Sequence, residues 1–397
     1  MKKPVIRFKG FTNAWKVSPF GSLAKRASAA NANEDLPRLE YEDIVAGTGL
    51  LNKNLFTKYS KKRGIVFHKG DVLYGKLRPY LHNWYLPMFT GLAVGDFWIL
   101  QPQNIDSTFL YRLVQSRKFD VVANQSAGSK MPRADWKLVS NSDFFVPVEK
   151  MEQMAIGSFF AELDSLIEGK RVKLDKLKKL KQAYLNKMFP KKGFRVPEIR
   201  FKGFSGDWVE KPLGKIGSPY TGLSGKGKAD FGHGNAKYIT YMNVFSNPVA
   251  TIEQTDKIEV DRMQNCVKKN DVFFTVSSET PEEVGMSSVW TYDAENVYLN
   301  SFCFGFRPNE NIDPFYFAYL MRSPIERSQI ILLAQGISRF NISKSKMMNI
   351  SVLLPTIPEQ QKIGAFFQNL DNLINLQQQE LDKLSNIKSA CLSKMFA

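Results

Sequence analysis

The eight residues GLSGKGKA, Gly222 to Ala229, have the glycine spacing of a loop that cradles phosphates. Such a loop needs a Ser or Thr hydroxyl after its lysine to hold magnesium. Here that position is Ala229, and the approach KPLGKIGSPYT is turn-rich where an apolar strand is required, so a surface loop is the better reading. A magnesium nuclease needs carboxylates grouped with a lysine on adjacent strand positions. Glu279, Glu282 and Glu283 cluster without one, which suits a solvated turn or a carboxylate accepting from a cytosine amine. A methyltransferase acting on an exocyclic amine needs a short Asn or Asp followed by two prolines and an aromatic, and neither SNSDFF (140–145) nor SNPVA (246–250) supplies it. His68, His82 and His233 stand apart from one another and from Cys266, Cys303 and Cys391, so they read as surface or hydrogen-bonded residues. Three scattered cysteines make neither a disulfide framework nor a zinc knuckle. The residues therefore predict no catalytic group, no metal and no cofactor. What is left is a binding protein.

The elements that would position a binding surface come in duplicate. IRFKGF occurs at Ile6–Phe11 and at Ile199–Phe204, with Trp15 and Trp208 following at equal distance. EQMAIGSFFAELDSLI (152–167) matches EQQKIGAFFQNLDNLI (359–374), LDKL recurs at Leu174 and Leu381, and both copies close on KMF. Between these anchors the copies diverge, although KGDVLYGKLRPYL (69–81) and KNDVFFTVSSETPEEVG (269–285) keep a landmark, as do the glycine loops after Ala127 and Ala334. DVLYGKL, DVFFTV and SFCFGF alternate as strands do, while 109–116 and 315–323 have helical spacing. Each copy is thus an α+β globule followed by a long helix. The spacing predicts domains at 1–149 and 193–355, with helices over 150–192 and 356–397. Apolar stripes run Ile156, Phe159, Leu163, Leu166, Ile167, Leu174, Leu177, Leu180, Tyr184, Met188, and Ile363, Phe366, Leu370, Leu373, Ile374, Leu381, Leu384, Ile387, Cys391, Met395. Both miss a step, at Lys170 and at Gln377. Helices with such seams need a partner, and a pseudo-dyad between copies predicts that they pair with each other as an antiparallel coiled coil.

Composition fits that reading. In 397 residues, 55 Lys plus Arg stand against 38 Asp plus Glu, a net charge of +17 that favours a polyanionic partner, nucleic acid first. The most apolar stretch, Leu86–Leu100, is too short to span a bilayer and is broken by Gly91, Gly95 and Asp96. Arg7 and Lys9 fall where a signal peptide would be apolar, so the expected compartment is the cytoplasm.

The duplicated RFKGF-plus-Trp openings, the DVLYGKLRPYL and DVFFTVSSETPEEVG segments and the twin EQ…IG.FF…LD.LI helices ending in KMF resemble the specificity (S) subunit of Type I restriction-modification enzymes. The resemblance covers the whole chain. It implies that each globule is a target recognition domain reading one half of a split double-stranded DNA site. It also implies that the helices space the domains and dock two modification (methyltransferase) subunits, to which restriction (motor and nuclease) subunits are added, with no catalysis by the chain itself. Independently of the family, two similar domains held apart can bind half-sites one helical turn apart, about 34 Å between centres, and their divergence predicts an asymmetric target. A duplicated scaffold that binds other proteins would carry the same repeat.

The candidate DNA contacts of the first copy are Lys76, Arg78 and Tyr80 with Ser129, Lys130 and Arg133. Those of the second are Thr275, Ser277, Ser278 and Glu279 with Ser338, Arg339, Asn341 and Lys344. Arg and Lys reach guanine O6 and N7, Asn pairs with adenine, and hydroxyls suit either phosphate or base. Pro79 and Pro132 are expected to shape turns, and Tyr74, Trp84, Trp98 and Phe274 to lie in cores. On the helices, Phe160, Ile167, Phe367 and Ile374 are the candidate docking positions for partner subunits.

Overall fold

The turn before each central strand is built in the same way. In the computed structural model, which describes residues 4–31, 35–125 and 130–396, Gly70 and Asn270 adopt φ of 90° and 68°, a conformation these two residue types tolerate. The next residue closes the turn: Asp71 Oδ2 accepts from His68 N and Asp271 Oδ2 from Lys268 N, both at 2.8 Å. In the first copy this turn feeds β1 (Val72–Gly75), which pairs antiparallel with β2 (Phe97–Pro102). Segments 24–27 and 84–85 complete a four-stranded sheet around them. Helix α1 (Ser107–Leu113) follows, and further on the long helix α2 (Lys150–Lys187). The second copy repeats the plan. Its β3 (Val272–Thr275) pairs with β4 (Cys303–Pro308) between segments 217–221 and 287–289, and α3 (Pro314–Leu320) and the long α4 (Ile357–Met395) come after.

The chain divides into two compact units, one made of residues 1–171 and 379–397 and the other of 172–378. Each long helix therefore gives one stretch to each unit. In the first unit the closing turns of α4 lie against the opening turns of α2, with the Phe396 ring 5.2 Å from Phe109 and 6.3 Å from Phe160. In the second, the end of α2 meets the start of α4, where Phe189 stacks on Phe367 at 5.9 Å and Tyr184 packs on Phe366 at 4.9 Å. Within each unit the helices run antiparallel.

The repeated motifs are the joints of these units. Arg7 clamps Glu152 with Nε and Nη2 at 2.6 and 2.7 Å, and Arg200 clamps Glu359 with both bonds at 2.8 Å. Both carboxylates are 1% exposed, so each buried charge has its cation. The neighbouring glutamines tie the helix starts to α1 and α3. Gln153 Oε1 accepts from Asp106 N at 2.7 Å and Gln360 Oε1 from Asp313 N at 3.0 Å, while Asp106 and Asp313 cap those short helices. Gly157 lets α2 approach Thr108 so closely that a Cβ would stand 1.8 Å from its Oγ1.

The seam itself differs from the predicted stripe by one residue. Phe160 and Phe367 are fully buried where Phe159 and Phe366 were expected, and Leu166 and Leu373, at 55% and 54% exposure, face outward. The inward positions follow a strict four-three alternation, 156, 160, 163, 167 and onward, and 363, 367, 370, 374 and onward, the 3.5-residue period of paired helices. Continuing that count places Lys181 and Lys388 on the seam. Each reaches the other helix of its unit: Lys181 bonds Asp371 at 2.5 Å and Lys388 bonds Asp164 at 2.6 Å. The two aspartates are the D of the repeated LD.LI.

A candidate nucleic-acid interface

In the first unit the backbone brings the two predicted segments side by side. Arg78 N donates to Pro132 O at 2.7 Å and Ala134 N to Lys76 O at 2.8 Å, so GKLRPY and the Lys130–Arg133 stretch form one ledge. Arg78 takes a left-handed conformation (φ 48°) ahead of Pro79, and His82 (φ 55°) ends the turn, which leaves Tyr80 exposed at its tip. Lys130 is exposed as well. Lys76 and Arg133 converge on Asp96, at 3.2 Å from its Oδ1 and 3.0 Å from its Oδ2. Burial raises the Asp96 carboxyl, but hydrogen bonds from Arg133 and Lys76 outweigh it and hold the group below its ordinary value. Two cations are thus oriented by one ionised carboxylate. Ser129 lies outside the described residues.

The second unit builds the same ledge from different side chains. Ser277 and Ser278 pair antiparallel with Asn341 and Phe340, and Gln335 and Asn341 exchange backbone bonds of 2.9 and 2.8 Å that close a hairpin carrying Ser338 and Arg339. Gly336 (φ 138°) sits where a Cβ would stand 1.9 Å from Arg339 O, so the hairpin requires glycine there. Glu279, Ser338, Arg339 and Asn341 are exposed, Ser277 and Lys344 half-buried. Two predicted contacts do not reach the surface. Thr275 is fully buried, because it ends the central strand on its inward face, and its Oγ1 accepts from Met286 N at 2.9 Å. Ser278 is also buried and spends its hydroxyl on Thr280 O.

The docking positions also change. Phe160 and Phe367 are core residues, Ile167 is buried with them and Ile374 is half-buried, since the four-three seam points all four inward. Phe160, Phe367 and Ile167 hold the helices together and are covered by them. The core assignments of Tyr74, Trp84, Trp98 and Phe274 agree with the structure. The histidines are hydrogen-bonded: His82 Nε2 meets Asp120 at 2.9 Å, His233 Nε2 meets Ala229 O at 2.8 Å, and His68 Nδ1 meets Thr90 Oγ1 at 3.4 Å. Among the described residues no group of three or more His, Cys, Asp or Glu could hold a metal ion, and no helix is long and apolar enough to cross a membrane.

Two bracing residues escaped the sequence reading. Tyr41 Oη donates to Asp96 O at 2.6 Å and accepts from Leu77 N at 3.1 Å, and Tyr241 Oη donates to Ser277 O at 2.8 Å. Burial raises both phenols above their ordinary value, so they stay protonated donors. Their signal was a Tyr-x-Asp/Asn pair, Tyr41 with Asp43 and Tyr241 with Asn243, at a constant distance before each ledge.

Residues 206–386 match the model of the Type I restriction modification DNA specificity domain, and the first copy carries the same opening and closing motifs. Residues 206–386 therefore belong to that specificity-domain family. The specificity subunit of the Type I restriction enzyme MjaVIII from Methanocaldococcus jannaschii is 21% identical to it over 299 residues, 73% of this chain and 69% of that one. The crystal structure of the Type I S subunit from M. genitalium shares the fold, with a TM-score of 0.62, 16% identity and coverage of 100% of this chain and 99% of that one. So does a chain from a type I R-M system solved for its complex assembly and conformational transition, with a TM-score of 0.58, 17% identity and coverage of 97% and 98%. In this chain the ledges, not the shared motifs, carry what distinguishes one copy from the other.

Proposed function

We propose that this chain gives a Type I restriction-modification system its DNA sequence specificity by reading a bipartite, asymmetric site, one half with each ledge. One observation carries this reading: the same backbone ledge, braced by the same tyrosine, presents Lys76, Arg78 and Arg133 in one unit and Glu279, Arg339 and Asn341 in the other. Cations suit guanine edges, whereas a carboxylate and an amide suit the amino groups of cytosine and adenine. Residues 1–149 and 193–355 would be the two recognition domains, and 150–192 and 356–397 the segments that join them to the rest of the system.

On this reading the chain performs no chemistry and works in the cytoplasm as a complex with two modification subunits and with restriction subunits. With the seam residues buried, the outward leucines Leu166 and Leu373 are the equivalent apolar positions left for such partners. Mapping methylated adenines in the source genome with and without this gene tests the function. A split motif that vanishes on deletion supports it, and an unchanged methylation pattern overturns it. Gel shifts with the modification subunits present separate it from a protein-binding scaffold, which would retain no particular duplex.

A further inference from the structure

The position that holds Asp96 in the first unit holds Phe302 in the second. In both copies its carbonyl accepts from the residue after the central strand, Lys76 N and Val276 N, each at 2.9 Å, so the backbone is fixed while the side chain varies. Phe302 is 60% exposed. With Tyr241, Met242 and Phe245 it lines a cavity of about 360 Å³ that Glu279, Glu283 and Arg339 also line. The wall is firm, because the Tyr241 phenol is tied to Ser277 O and its ring lies 5.8 Å from Phe245 at an interplanar angle of 17°. Met242, 57% exposed, completes an apolar surface directly beside the ledge.

A carboxylate at this cavity repels phosphate, so the lining suits a base edge better than the DNA backbone. An apolar wall together with an acceptor matches one base pair in the major groove: A·T shows the adenine amino group and, beyond the thymine O4, the thymine methyl on one edge, and no other pair offers both. We propose that this cavity is the specificity pocket of the second unit, receiving a thymine C5-methyl against Phe302 and Met242 while Glu279 accepts from the adenine amino group. The proposal rests on the reading of the chain as a DNA specificity subunit and names what one half of the site contains.

Deoxyuridine differs from thymidine only by that methyl, which gives the test. The assembled complex is titrated by gel shift with the split site from methylation mapping, each thymine being replaced by deoxyuridine in turn. At one position the replacement should weaken wild-type binding about fourfold, the effect of burying one methyl. Phe302→Leu should keep that sensitivity, and Phe302→Ala should bind thymine and uracil duplexes alike. A site in which no thymine is sensitive, or a Phe302→Ala complex that still discriminates, overturns the pocket. A wild-type complex that does not prefer the unmodified site over unrelated DNA would instead overturn the specificity reading beneath it.

Discussion

Arg339 stands at the tip of a hairpin closed by Gln335 and Asn341, exposed and held in place by backbone bonds that its side chain does not make. Arg339→Ala should therefore leave folding intact and lower affinity for the specific site by about 1–3 kcal/mol, measured by gel shift with the modification subunits. Asp96 acts differently, because it orients Lys76 and Arg133 while cancelling part of their charge. In Asp96→Asn the two cations are released toward phosphate. Non-specific retention should rise, discrimination should fall, and the slope of log affinity against log salt should steepen by about 0.9 per phosphate gained. Glu326, buried in the second unit, has its carboxyl pushed up to about 8 by burial, with Glu210 adding to the effect. It is protonated when folded and ionises near its ordinary 4.5 when unfolded, so its contribution is full below that value and is lost as pH rises through about 8. Thermal unfolding at pH 5 and pH 8 should show Glu326→Gln gaining on the wild type at the higher pH only. Residue types alone pointed to Lys76, Arg133, Arg339 and Asn341, since their chemistry is visible in their letters. They could not reveal that Thr275 ends a strand facing inward, nor that Asp96 already occupies two of the chosen cations.

At the scale of elements, the strands and short helices were legible because their alternation and spacing are local, and the long helices because no proline interrupts them. The phase of the seam was not. Adjacent Phe159 and Phe160 fit equally well on a stripe of mixed three and four steps, and only the partner helix, by imposing a 3.5-residue period, selects Phe160. The same period puts Lys181 and Lys388 inside, where residue type argues for the outside, and their bonds to Asp371 and Asp164 reconcile the two. The likeness of the repeated motifs is thus explained by their work as joints. Arg7→Ala leaves the buried Glu152, among the described residues, with the Trp15 Nε1 bond of 3.1 Å alone and should destabilise the first unit by about 3 kcal/mol, with Arg200→Ala doing the same to the second. Gly157→Ala, which drives a Cβ against Thr108, should cost about 1–3 kcal/mol. Denaturant unfolding of each variant checks both.

For the whole molecule, the net charge of +17 is a poor guide to where DNA is read. Residues 1–148 hold 22 basic and 11 acidic side chains, whereas residues 199–397 hold 21 and 20. Yet both halves build a ledge, so the repeat, and not the charge, discloses the second one. Neutralising the exposed Lys130 should flatten the salt dependence of binding more than a comparable change in the second copy, where carboxylates stand among the cations. The division into units has one more consequence, for synthesis. The second unit is a single stretch, 172–378, while the core of the first is closed by Met395 and Phe396, which are made after the whole of the second. At roughly 5–20 residues per second the first unit waits about 10–40 s on the ribosome with its apolar pocket for those two side chains uncovered. The half of the chain made first is therefore the half that finishes folding last, and released chains ending at residue 378 should show a protease-resistant second unit and a first unit that is still cleaved.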